Sequence, residues 1–370
     1  QHPNNDNTVT PMVARCGLVS PVLAPSLAAR GTAVFGSAGF GSAVSHQSSL
    51  IMERPALTTS VTSRPTLVPM RSDSMSSSKA PKKAGNPFLR GIVVMAVVVA
   101  LVGGLTKVLE LPWQFAAWAF GIQWAFFLLQ AWPQRSEKLY DASGSLTHIA
   151  LVLVGLLDPM RSQRQILLSL AAVVWCTRLG TFLFNRISQD REDTRFTELK
   201  KEFWTFSIAW NLQVLWVFLL QLPVMVVNTS IPQPPLGLLD VMGLGLWCCG
   251  FLLESVADGQ KFAFRGNASN KGKFINSGLW RYSRHPNYFG EILMWLGLCT
   301  SFSSCMTASS QFLVWLSPCF NAFLLLFVSG VPMLEKAGEK KWGNDPEYQH
   351  YMKNTSCIIP WFPATEFDPK

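Results

Sequence analysis

The chain has 370 residues, of which 49% are hydrophobic and only 14% charged, with 14 Trp and 25 Phe. Soluble domains carry roughly 25% charged residues, so this composition excludes an ordinary soluble globular protein. The net charge of +9 gathers in no basic stripe with interleaved aromatics, so no nucleic-acid partner is expected. Lysines and arginines collected in loops on one side of a bilayer give the same balance.

Residues 1 to 86 differ from everything after them. They are rich in Ser, contain segments such as Arg71-Ser-Asp-Ser-Met-Ser-Ser-Ser-Lys79, and have Asp6, Glu53 and Asp73 as their acidic residues. Such an acid-poor leader reads as a disordered organellar transit peptide, with an ordinary disordered tail as the bland alternative. A plastid or other organelle membrane is the expected location, the endoplasmic reticulum the alternative. The membrane domain is expected over 87–370.

From Gly91 onward, apolar runs near the ~20 residues needed to cross a bilayer succeed one another. They lie at about 91–109, 112–132, 145–158, 165–184, 204–227, 236–257, 287–305 and 311–334. Lipid forbids open strands and irregular backbone. The expected fold is therefore all-α, a polytopic bundle of about seven to eight transmembrane helices, with the third the shortest. Loop charges support this count. The segments 185–202 and 258–286 and the tail after 334 are basic, whereas Asn228–Pro235 and Thr307–Ser310 carry no charge. Eight spans place the basic segments on one face, with both termini on the cytosolic or stromal side. Arg161 and Arg164 are exceptions to the pattern.

Polar residues inside these runs mark candidate chemistry, because ionisable groups in a membrane are costly. Arg178, in Trp175-Cys-Thr-Arg178-Leu-Gly180, lies inside the end of an apolar run and needs a carboxylate or a ligand, unless it snorkels. Glu254, Asp258, Lys261 and Arg265 recur every three or four residues. They form either an intrahelical salt-bridge ladder or a site in which Asp258 and Gln260 meet ribose or adenine and Lys261 a phosphate.

Next comes Ser277-Gly-Leu-Trp-Arg-Tyr-Ser-Arg-His-Pro-Asn-Tyr-Phe-Gly-Glu291. Pro286 suits the first position of a helix, and the free amides at that end favour an anion, with Arg281 and Arg284 just before it. Tyr288, Glu291 and Trp295 share one helix face. The positive-inside rule and an aromatic belt account for the arginines and Tyr288, but not for Glu291 a turn inside an apolar run. The tail from Glu335 to Trp361 is polar and aromatic, suited to fold back over residues 258–288 as a lid or a structural cap. Eight scattered cysteines without a Cys-x-x-Cys pair, and five histidines without His-x-x-x-His spacing, give no metal motif.

Together these segments resemble the steroid 5-alpha-reductase C-terminal domain family, most closely its DUF1295 branch of membrane proteins. The resemblance covers about 130–365. It rests on Tyr140-Asp-Ala-Ser-Gly-Ser145, Trp175-x-x-Arg178-Leu-Gly180, Arg186 with Asp193-x-Arg195-Phe, Glu254-x-x-x-Asp258-x-Gln-Lys-Phe262, the Gly278–Glu291 motif and the Glu335 tail. It implies an integral-membrane helical enzyme in which NADPH enters from the cytosolic side. Hydride goes to one carbon of a polarised C=C bond of a lipid or sterol-like substrate, and an acid protonates the other.

Carried over to this chain, Arg284, His285, Asn287 and Tyr288 bind the cofactor's phosphates and nicotinamide end. Asp258, Gln260, Lys261 and Arg178 support its adenosine half or phosphates. Tyr288, coupled to Glu291, is the candidate proton donor. The N-terminal Tyr and Glu that polarise a steroid enone have only weak substitutes here, Tyr140 and Asp141, which leaves other lipid or isoprenoid enones open. Isoprenylcysteine and phospholipid methyltransferases share an Arg-His-Pro-x-Tyr element and use S-adenosylmethionine, the second functional reading. A non-catalytic membrane scaffold is the third.

Overall fold

The computed structural model describes residues 86–157, 161–190 and 193–363. The leader expected over 1–86 lies outside the described residues, except for its last position. Among the described residues every regular element is helical. The elements that follow are α1 (Pro87–Val108), α2 (Trp113–Gln134), α3 (Tyr140–Gly155), α4 (Gln163–Asp190), α5 (Phe203–Leu220), α6 (Leu222–Thr229), α7 (Leu238–Gly266) and α8 (Pro286–Ser303). After them come α9 (Leu316–Phe323), α10 (Val331–Trp342) and α11 (Pro346–Asn354).

Six stretches are long and apolar enough to cross a membrane: α1, α2, α4 to Asn185, α5, α7 and the run Ser309–Trp342. The spans expected at 145–158 and 287–305 are the remaining two, α3 and α8. α3 has 16 residues, and α8 carries Asn287, Tyr288 and Glu291 in its first two turns. Each is an inner helix with a buried face. The span expected at 204–227 is broken into α5 and α6, because Pro223 has no N–H with which to continue the ladder. Asn86 caps α1, its side chain accepting from the Phe88 amide at 3.0 Å.

Two contacts position the rest. α4 and α7 run parallel, and two arginines of α4, Arg164 buried and Arg178 half-buried, meet acids of α7 at two levels. Arg164, 1% exposed, is bidentate to Asp240 at 2.7 and 2.8 Å and donates to the carbonyls of Pro234 and Pro235. Asp240 also accepts from Ser301 and Ser304 of the 286–304 segment. Arg164 is therefore no loop cation: an arginine with all its donors used inside the bundle does not report membrane sidedness. Fourteen residues further along both helices, Arg178 meets Glu254. At 1.5 Å per residue the two levels stand about 21 Å apart, most of a ~30 Å hydrocarbon core.

The second contact is antiparallel. α7 and α8 meet through Gly243 and Gly250 on one helix and Gly290 and Gly297 on the other. A methyl group added at Gly250 would lie 2.5 Å from the Gly290 carbonyl oxygen, and one at Gly290 would lie 2.6 Å from that of Gly250. Backbones this close give dispersion and small-residue packing, the forces left when lipid removes the hydrophobic drive between helices. The contact sets the depth of α8 against α7, and so which residues of the two helices face each other at their basic end.

Gly250→Leu should therefore lower the thermal stability of the detergent-purified chain, by at least the ~1–3 kcal/mol typical of overpacking. Gly245→Leu, at a position open around its Cα, should change it little. Differential scanning fluorimetry of the two variants decides this, and equal melting points contradict it.

Candidate functional site

At the basic end of the bundle, Arg178 and Trp175 of α4 face Glu254 and Asp258 of α7. Arg178 Nη1 lies 2.6 Å from Glu254 Oε1, and its Nη2 lies 2.7 Å from Asp258 Oδ2. Trp175 Nε1 donates to the second oxygen of Glu254 at 3.1 Å. One planar guanidinium thus spans two carboxylates a helical turn apart, a geometry suited to arginine and not to lysine. Of the two arrangements open for residues 254–265, this interhelical pairing takes up Glu254 and Asp258. Lys261 sits over the Trp280 ring, 4.3 Å from its centroid, a cation–π contact.

α8 brings the next group. His285 occupies the position before the helix, at φ −141° and ψ 59°, and Pro286 opens the helix. Asn287 Nδ2 donates to the other oxygen of Asp258 at 3.0 Å, so Asp258 links α4, α7 and α8. The His285 ring stacks on Tyr288 with centroids 5.4 Å apart and planes 6° from parallel. Glu291 is buried on α8, one turn beyond Asn287. His148 of α3 lies deeper, edge-on to the Trp175 and Trp216 rings at 5.4 and 5.1 Å.

The tail returns over this end. The Arg284 amide donates to the Ser356 carbonyl at 2.8 Å, and the Trp361 amide to that of Tyr282 at 3.0 Å. Ser283 Oγ donates to the Ile358 carbonyl at 2.7 Å, and Tyr351 OH to that of Trp280 at 2.8 Å. α10 delivers Glu335, whose Oε1 lies 3.2 Å from His285 Nε2 and 3.4 Å from Arg284 Nη2. Burial pushes His285 down to about 4, against the opposing pull of Glu335, so its imidazole is neutral near pH 7. Burial raises the Tyr351 phenol and the Cys357 thiol above their usual ranges.

The sequence-predicted residues divide into two groups. Arg178, Asp258, Arg284, His285, Asn287, Tyr288 and Glu291 converge from three segments, α4, α7 and the start of α8. Gln260 serves the turn before α8: its Oε1 accepts from the Leu279 amide at 2.9 Å, next to Gly278 at φ +60°. Arg281 is exposed on that turn. Two engagements were hidden from the sequence, Trp175 on Glu254 and Glu335 on His285. The first joins residues 79 positions apart and the second residues 50 apart, so no local spacing signals either.

Three buried polar atoms of this cluster have no protein partner: His285 Nδ1, Asn287 Oδ1 and Arg284 Nε. Native proteins leave few such atoms unsatisfied. They lie within four residues of one motif, Arg284 to Asn287.

A family profile described as a protein of unknown function, DUF1295, matches residues 126–355. An uncharacterized protein of Schizosaccharomyces pombe is 22% identical over 259 residues, which cover 63% of this chain and 74% of the relative. No solved structure matches the chain.

Arg178→Gln should leave Glu254 and Asp258 buried without their counter-charge and destabilise the chain by about 3–5 kcal/mol. The triple variant that adds Glu254→Gln and Asp258→Asn should recover most of that loss. Unfolding midpoints of the three proteins in one detergent test this, and an unchanged midpoint for Arg178→Gln contradicts it.

Proposed function

The chain belongs to the DUF1295 family, and we propose that it is a membrane-embedded, NADPH-dependent reductase of a C=C bond in a sterol-like or other lipid or isoprenoid enone. The observation that carries this reading is the set of unpartnered buried atoms on Arg284, His285 and Asn287. They sit beside the Arg178–Asp258 pair, under a polar tail, at the basic end of an apolar bundle. A soluble, charged cofactor reaches that end from water, and a lipid substrate reaches the interior from the bilayer.

The polar groups fit a nicotinamide dinucleotide in detail. Asp258 fixes the Asn287 amide through Nδ2, leaving Oδ1 as an acceptor. His285 Nδ1, the ring nitrogen turned away from Glu335, is a second unpartnered polar atom, acceptor or donor according to the tautomer. Asn287 Oδ1 and His285 Nδ1 suit a carboxamide or ribose hydroxyls. Arg284 Nε, with Arg281 nearby in sequence and Lys261 over the Trp280 ring, supplies donors and positive charge for phosphates at the start of α8.

Bound NADPH supplies the hydride. Tyr288 is the proposed proton donor, its ring held flat against His285. Glu291, one turn deeper, is proposed to orient that proton toward the substrate. The tail lies against Trp280, Ser283, Arg284 and His285 and is proposed to shield the cradle from water.

A ligand bound by the folded state raises apparent stability, by about 2.7 kcal/mol at 100 times its Kd. Thermal unfolding of the purified chain should shift upward by several degrees with NADPH and remain unmoved by S-adenosylmethionine. His285→Ala and Asn287→Ala should abolish the shift, while Tyr288→Phe should keep most of it and lose turnover. A response confined to S-adenosylmethionine would replace the reductase with a methyltransferase; no response to NADPH, NADH or S-adenosylmethionine would favour a scaffold.

A further inference from the structure

We propose that His285 Nε2, Glu335 Oε1 and Cys357 Sγ form a three-ligand site for a zinc-class divalent cation that staples the C-terminal tail to the start of α8. The three atoms lie within 4.8 Å of one another. His285 Nε2 stands 3.2 Å from Glu335 Oε1, and Cys357 Sγ stands 3.8 Å from the same oxygen. Tetrahedral zinc binds nitrogen and oxygen at about 2.0–2.2 Å and sulfur at about 2.3 Å. Ligand atoms around one ion at those lengths stand roughly 3.3–3.7 Å apart. The two edges at Glu335 bracket that value, and the third, from Nε2 to Sγ, is within 4.8 Å, so side-chain adjustment at Cys357 brings the three atoms around one ion.

The surroundings are built and not incidental. His285 is buried at the rigid first turn of α8, with its amide held by Ser283 Oγ at 3.1 Å. The same hydroxyl donates to the carbonyls of Cys357 and Ile358, and the Arg284 amide holds Ser356. The two residues before the histidine, Ser283 and Arg284, therefore clamp the backbone on either side of the thiol. Arg284 contacts Glu335 Oε1 at 3.4 Å, an outer partner of the kind that orients ligating carboxylates.

A mixed nitrogen, oxygen and sulfur set disfavours Mg²⁺ and Ca²⁺, which take oxygen ligands, and suits Zn²⁺. One thiolate and one carboxylate offset the two positive charges. Three protein ligands leave a fourth position open, the arrangement of an exchangeable site. The ligands lie 50 and 22 residues apart, so the metal-motif spacings absent from the sequence would not have detected them.

The test uses the tag-free full chain in detergent, treated with a chelator and a non-thiol reductant. Co²⁺ should produce a thiolate-to-metal charge-transfer band. Zn²⁺, but not Mg²⁺, should raise the melting temperature and slow alkylation of Cys357 at least tenfold, read by peptide mass mapping. Cys357→Ser should remove the band, and Glu335→Gln should weaken Zn²⁺ at least tenfold. Absence of the band in the parent protein, its persistence in Cys357→Ser, or equal stabilisation by Mg²⁺ would each overturn the proposal. If Cys357→Ser does not fold, alkylation of the parent protein decides alone: equal rates with and without Zn²⁺ reject the site. None of these readouts involves NADPH, so failure here leaves the reductase reading untouched, and the reverse holds too.

Discussion

The close antiparallel contact of α7 and α8 is the constraint on which the site depends. Four glycines, seven residues apart on each helix, let the two backbones approach until a single methyl group would meet a carbonyl oxygen. Because the contact is backbone on backbone, it tolerates little sliding. Its register places Asp258 opposite Asn287 at one end, and Asp240 opposite Ser301 at the other. A slip of one residue would rotate either helix by about 100° and break both pairings together.

Buried charge has a place only because this frame exists. Ionisable groups in a bilayer interior are retained where they pair or serve a ligand. Arg164 and Asp240 exhaust each other: the guanidinium meets two carboxylate oxygens and two carbonyls, and the acid also takes two serines. That cluster is complete and structural. The second level is not complete. Arg178, Glu254, Asp258 and Trp175 satisfy one another, yet His285, Asn287 and Arg284 above them present atoms with nothing to bond. Two ion clusters on the same pair of helices thus differ in what they leave over, and that difference is the ground for the proposed binding site.

Much of the architecture was legible in the sequence. Apolar run length placed all eight helical segments of the bundle, because lipid permits few other spanning structures. The motif around His285 could be read as a helix start because Pro286 and the preceding polar residues are local signals. Contacts between distant segments could not be read. The Glu254–Asp258 repeat left an intrahelical ladder and a site open, since spacing alone cannot show that Arg178 arrives from α4. Arg164 looked like a misplaced loop charge for the same reason. The hold of Gln260 on a turn amide nineteen positions away was equally out of reach.

The central claim is that the unpartnered atoms at the start of α8 bind a nicotinamide dinucleotide. A cryo-EM structure of the purified chain at saturating NADPH tests it most directly. The account predicts dinucleotide density along Arg284, His285 and Asn287 beneath the tail, with polar cofactor atoms within hydrogen-bonding distance of His285 Nδ1 and Asn287 Oδ1. Density bound elsewhere, or those two atoms satisfied by other protein groups with no cofactor present, would contradict it.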